Sequence, residues 1–247
     1  MTSKSVRNLR SVSLAGSLAL VLSSAACAQS GSFEVARLGH VVGSASFKFV
    51  ATPDGYDSTS LVRVEMEGLE FALSKTETLS AANQLKHVQL SAVVNGTAVN
   101  VTAAPDAAQL LLNVSANGRS ATARLVAYPA AVFLPDFDPG ALETLLALGV
   151  SRNNRDLWAI LPKQSGGQPA SVAPIELATY ADEVGSLDGK PITVHHLVAT
   201  ISGARTDLFS GPENQLLQAE LPQQGFALVR KGFVLTPPVR PQPAPAF

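Results

Sequence analysis

One cysteine, Cys27, stands alone in 247 residues. A single thiol cannot close an intramolecular disulfide, and no His/Cys set shows the ligand spacing of a zinc site. Long apolar runs are also lacking. The longest, SVSLAGSLALVL, has about a dozen residues, against the ~20 that a spanning helix needs. Lys and Arg form no block, which excludes the clustered basic footprint of a nucleic-acid binder. There is no G-x-S-x-G elbow, no Asp followed by Ser/Thr-Gly, and no glycine-rich phosphate cradle. These absences leave any enzymatic reading without a motif to carry it.

What is present begins at the N-terminus. MTSKSVRNLR carries Lys4, Arg7 and Arg10 and no acid, an apolar stretch follows, and small residues come next. That order is the tripartite secretory signal. Residues 1–28 therefore read as a signal peptide, 29–236 as a β-rich exported domain, and 237–247 as a Pro-rich disordered tail. Two processing routes compete. Ala26-Cys27-Ala28 before Gln29 is an A-x-A cleavage site. Ser24-Ala25-Ala26-Cys27 resembles a lipobox, with Ser24 where an aliphatic residue is usual, so cleavage to a soluble periplasmic or secreted form is favoured. The alternative is a lipid anchor on Cys27, the one case in which membrane contact is expected. Removing the leader moves the formal net charge from −1 to −4. A mature chain without cysteine must rest on packing alone. The sequons at Asn95, Asn100 and Asn113 are explained more simply by Asn in turns.

The mature chain reads as strands. Ala45, Phe47, Phe49 and Ala51 alternate with Ser46, Lys48 and Val50, the period of a half-buried strand. TPDG at 52–55 is a turn. Val62, Val64 and Met66 point inward, and beyond Gly68 the inward set becomes Leu69, Phe71 and Leu73. That slip of phase fits either a bulge or a hairpin at Glu67-Gly68. Asn95-Gly96 and Asn117-Gly118 each sit between alternating residues, the strongest short hairpin signal, so a four-stranded meander is expected over 86–128. In FLPDFDPGALETLLALGVSRNNRD a helix is expected, capped by Asp138, opened by Pro139 and stopped by Gly149. Glu143 is its only charge, so it should be buried on most sides. Strands resume in DLWAILPK and continue to FALVRKGFVLT, making about ten in all.

The expected fold class is mainly β: a single strongly curved antiparallel sheet or half-barrel with one short apolar helix packed on its concave face. A sheet of that length curls rather than staying flat. GHVVGSASFKF, the meander, the LPDF-helix segment and QLLQAELPQQGFALVRKGF resemble bacterial exported proteins of the DUF3108-type group. Those in turn resemble the LolA/LppX-like lipoprotein carriers. The resemblance covers most of the mature chain in order and length. Its most distinct motif is a Gly-x-x-x-Gly opening at Gly39 and Gly43. It implies a curved half-barrel whose apolar face holds an acyl chain or peptide, and it transfers no catalytic residue.

Polar candidates are few. His195 and His196 are adjacent on a strand and so face opposite ways, which gives no shared metal site. His40 and His87 stand alone. Asp136 and Asp138 have the spacing for a shared face, but a calcium loop needs more oxygens, and capping explains Asp138 better. No catalytic, metal or cofactor residues are assigned. The leading reading is a non-enzymatic cell-envelope protein that binds a lipid or other hydrophobic ligand. Phe47, Phe49, Phe71, Leu142, Leu145 and Leu146 would line its cavity. The alternative is a structural envelope module acting on a protein partner through a sheet edge or the tail. A third reading, a hydrolase with an unrecognised site, requires Asp136, His196 and Arg230 to meet in space.

Overall fold

The computed structural model describes residues 29–163 and 169–236. The segment read as a signal peptide with Cys27, the expected tail from 237 onward and the turn expected at Gly166-Gly167 lie outside the described residues. Eight strands make up the first half: β1 (Ser30–Arg37), β2 (His40–Thr52), β3 (Gly55–Met66), β4 (Leu69–Ser80), β5 (Leu85–Val94), β6 (Thr97–Asp106), β7 (Gln109–Ala116) and β8 (Arg119–Val126). Each pairs antiparallel with the next.

Both Asn-Gly pairs close hairpins with two left-handed residues (φ 48° and 76° at Asn95-Gly96, 51° and 69° at Asn117-Gly118), as a type I′ turn demands. Glu67-Gly68 is likewise a hairpin, with Met66 opposite Leu69. The phase slip there is a chain reversal rather than a bulge. A bulge occurs instead between Val35 and Ala36, beside Gly43. A Cβ on Gly43 would lie 2.1 Å from the Arg63 carbonyl oxygen, and Gly39 turns the preceding hairpin at φ 84°. The two glycines thus serve different needs, close approach and turn geometry.

After β9 (Ala131–Phe133) comes helix α1 (Pro139–Leu146), which runs into a π-helical turn, Ala147–Ser151. The remaining strands are β10 (Leu157–Pro162), β11 (Ala170–Thr179), β12 (Glu183–Leu187), β13 (Lys190–Ile201), β14 (Ala204–Ser210), β15 (Leu216–Leu221), β16 (Phe226–Arg230) and β17 (Phe233–Leu235). The seventeen strands among the described residues exceed the expected ten in part because runs that look continuous are interrupted, as where β11 and β12 lie end to end along β13. IELATYADEVGSLDG contains both β11 and β12, and FALVRKGFVL contains both β16 and β17.

Strand β16 pairs with β1, joining the two halves. The sheet continues from β16 through β15, β14, β13, β11 and β10 to β9, whose parallel pairing with β10 is the exception to antiparallel order. It is one large, curved and unclosed sheet. Its ends approach each other, with β9 near β5 and β8 near β11. Outside it, β12 and β17 form a short layer on the first half of β13. This layer closes a small second core of Val194, Phe209, Leu217 and Phe233.

Helix α1 lies in the trough, against β2, β3, β9 and β15. Asp138 caps it: Oδ1 accepts from the Gly140 N–H at 2.9 Å and the Ala141 N–H at 3.3 Å. All eight residues are buried, including Glu143. Burying side chains such as Leu142, Leu145 and Leu146 contributes roughly 1.5–3 kcal/mol each. Gly149 does not end the helix, since the chain passes through it in the π turn. A Cβ there would lie 2.7 Å from Leu177 Cδ2, so this glycine permits close packing on the sheet.

Gly43→Ala should destabilise the protein by about 1–3 kcal/mol, because backbone must shift to admit the methyl group. Ala at position 39, which faces open space, should cost only the left-handed penalty of about 1–2 kcal/mol. Urea denaturation midpoints compare the two, and a milder effect at 43 than at 39 would contradict the close-approach account.

Candidate functional site

Among the described residues the inward face of the sheet is mostly apolar, and its charged side chains cluster in one patch. Continuing the inward phase of β4 past Phe71 and Leu73 brings Lys75 and Glu77 into the trough. On β3 the same phase brings in Ser58 and Ser60. Register sets Ser60 opposite Lys75 and Ser58 opposite Glu77. The Lys75 ammonium lies 2.9 Å from Glu77 Oε2 and 2.6 Å from Asp138 Oδ2, and the Lys75 and Asp138 side chains are fully shielded from solvent. Burial alone would push the Lys75 ammonium down. The pull of Asp138 and then of Glu77 outweighs it and holds the value above the ordinary lysine range. Burial pushes the Glu77 carboxyl up, and Lys75 offsets part of that rise. The Ser58 and Ser60 hydroxyls are buried and have no hydrogen-bond partner among the described residues.

One helical turn further on, Glu143 forms a second buried polar point. Its Oε1 accepts from the Leu216 N–H at 2.9 Å, its Oε2 accepts from Gln29 Nε2 at 3.1 Å, and Arg230 Nη1 stands 3.8 Å away. Burial raises the Glu143 pKa from 4.5 to about 7, and the three partners moderate the rise.

Spaces on the concave side are unequal. About 30 Å³ lies beside Phe71 and Asp136, about 150 Å³ beside Leu142 and Phe137, and about 200 Å³ beside Phe49, Tyr56 and Glu143. Of the expected cavity-lining residues, Phe49, Phe71 and Leu142 each border one of these spaces. Phe47, Leu145 and Leu146 are packed in the core. A larger space on this side, about 480 Å³, opens at the end of the trough, where the π turn meets the sheet. Its floor is Leu157, Ile175, Leu177 and Leu197, and its rim includes Asn153, Asn154 and Arg155. No expected lining residue borders it. The signal that could have found it is Gly149 followed by the Asn-Asn-Arg break in a leucine-rich helix. On the convex side, a groove of about 660 Å³ crosses β1 to β6 over Ser46, Leu61, Ser74 and Ser91. Small side chains leave it shallow.

The histidines separate as expected for neighbours on a strand. His195 Nδ1 lies 3.0 Å from Asp182. His196 stacks on Phe209 and faces Glu183 through Nδ1 and Asp207 through Nε2, at 3.3 and 2.8 Å. Asp207 also binds Arg205. Burial pushes its carboxyl up, but the hydrogen bonds from Arg205 and His196 outweigh this and hold it below its ordinary value. Among the described residues no group of three or more His, Cys, Asp or Glu side chains converges as metal ligands. Asp136, His196 and Arg230 do not meet. His196 on β13 and Arg230 on β16 are separated by two strands, roughly 14 Å at ordinary strand spacing. Arg230 instead donates to the carbonyls of Leu216 and Ser30. No protein-family model, curated protein or solved structure matches the chain.

A pH dependence follows from Glu143. Its folded pKa of about 7 exceeds the ordinary 4.5, so the fold prefers the neutral acid. The stabilisation is complete below the lower value and is lost as pH rises through the upper one. Glu143→Gln should therefore gain Tm relative to the wild type between about pH 5 and about pH 8. Parallel pH profiles for the two proteins would contradict this.

Proposed function

We propose that the protein is a non-enzymatic envelope protein that holds a single-chain amphiphile, such as a free fatty acid, at the π-turn end of its trough. The observation that carries this is the space of about 480 Å³, where Leu157, Ile175, Leu177 and Leu197 meet a larger polar border that includes Asn153, Asn154 and Arg155. That volume falls within the ~300–1,000 Å³ of small-ligand sites, whereas the three spaces beside α1 fall below it. Leu157, Ile175 and Leu197 would take the hydrocarbon. Arg155, with Asn153 and Asn154 beside it, would meet the carboxylate by a charge-assisted hydrogen bond. π-Helical turns occur often at functional sites, because they bend a helix locally and free backbone groups.

A second reading has its own support. Among the described residues strand β8 pairs with β7 alone and is largely exposed, so it presents an edge to which an extended segment of a partner can add.

Titration with a fluorescent fatty acid separates the two. The wild type should bind one equivalent, Arg155→Ala should weaken binding about tenfold or more, and Leu197→Trp should abolish it by filling the floor. Absence of uptake by folded wild-type protein would overturn the carrier reading. Capture of a partner that is lost when Pro replaces Ala123 in β8 would favour the second.

A further inference from the structure

We infer that Lys75 and Asp138 are the two halves of an intramolecular isopeptide bond, formed autocatalytically in the closed core with Glu77 as proton shuttle. The nucleophile, Lys75 Nζ, lies 2.6 Å from Asp138 Oδ2 and is therefore next to the carboxyl carbon. The two Asp138 oxygens differ in surroundings. Oδ1 faces the N–H groups of Gly140 and Ala141, while Oδ2 accepts no hydrogen bond beyond its ion pair with Lys75. Glu77 Oε2 touches the same nitrogen at 2.9 Å. Nucleophile, electrophile, oxyanion donors and base thus occupy one water-excluded site, the arrangement from which proximity and preorganised dipoles draw most of their effect.

The reaction needs no outside reagent. One ammonium proton passes directly to Asp138 Oδ2, giving an amine and a carboxylic acid. The nitrogen lone pair then forms the N–Cγ bond, and negative charge collects on Oδ1 in front of the two N–H groups. Glu77 takes a second proton from nitrogen and returns it to Oδ2. The Cγ–Oδ2 bond breaks, Oδ2 leaves as water, and the carbonyl at Oδ1 re-forms. Nitrogen keeps one proton, Glu77 is restored, and no net charge is made or lost. The product replaces a buried ion pair, which is costly to desolvate, with a neutral amide. The unpartnered hydroxyls of Ser58 and Ser60, opposite Glu77 and Lys75, are polar contacts for the water released. The cross-link joins β4 to the N-terminus of α1. It constrains the unfolded chain between residues 75 and 138 as a disulfide would, in a protein whose one cysteine lies outside that loop.

The test is mass spectrometry of the purified, denatured full chain after trypsin. The bond blocks cleavage after Lys75, so peptide Val64–Lys86 should appear joined to Leu125–Arg152, lighter than their sum by one water. Lys75→Arg and Asp138→Ala should each restore separate peptides. Glu77→Gln should leave most of the chain unlinked and slow the reaction at least tenfold. Free wild-type peptides ending and beginning at Lys75 and Thr76, with none joined, would overturn the inference. Full cross-linking in Glu77→Gln at the wild-type rate would overturn the shuttle. The wild-type digest decides the bond even if a variant fails to fold.

Discussion

The contact of Lys75 with Asp138 holds the helix in the sheet. An eight-residue helix has little stability of its own, because nucleation costs more than so few hydrogen bonds return. Asp138 addresses this with two oxygens: Oδ1 satisfies free N–H groups at the helix start, and Oδ2 binds the ammonium carried by β4. At the next turn Glu143 binds the Leu216 N–H of β15, so the helix is bound to both halves of the sheet. A buried pair of this kind is not a large net source of stability. Losing Lys75 is costly, about 3–5 kcal/mol, because Glu77 and Asp138 are then left buried without their cation. Its effect is therefore to specify one position for the helix along an otherwise uniform apolar trough.

That fixed start shapes the other end. With its N-terminus pinned and Leu145 and Leu146 buried, the chain leaves the trough through a π turn rather than a glycine cap. Gly149 lies close against Leu177, and Asn153 adopts a left-handed φ of 49° in the loop that follows. The space of about 480 Å³ lies beneath this departure. Polar anchoring at one end and irregular backbone at the other thus form one device, in which the helix packs on β2, β3, β9 and β15 and leaves a gap beyond its last turn.

Much of the fold was legible in local pattern. Alternation placed Phe47, Val62, Val64 and Phe71 inward, the Asn-Gly pairs marked two hairpins, and Asp138-Pro139 marked the helix start. The buried cluster was equally present. The phase that puts Phe71 and Leu73 inside also puts Lys75 and Glu77 inside, and the phase of Val62 and Val64 includes Ser58 and Ser60. Reading alternation only where it was apolar hid them. Other features have no local sign. The pairing of β1 with β16 joins Phe33 to Arg230 across almost the whole described chain, and no periodicity in either segment names its partner. The contacts of His196 with Asp207 and Glu183 depend on how β14 and β12 flank β13. The pocket under the π turn arises where the helix pattern fails.

The β1–β16 seam also governs how the chain acquires its shape. Strands β1 to β8 are neighbours in sequence and can zip together as soon as they emerge, since each pairing closes only a short loop. The outer edge of β1, however, waits for a segment some two hundred residues later. Until β16 arrives, the meander carries an open hydrogen-bonding edge with Phe33 and Val35 beside it, the kind of surface that pairs with the wrong chain. Strand β16, made near the end of the chain, is thus the one that covers the β1 edge. A chain truncated before Phe226 would keep most of its secondary structure and lack the strand that covers this edge.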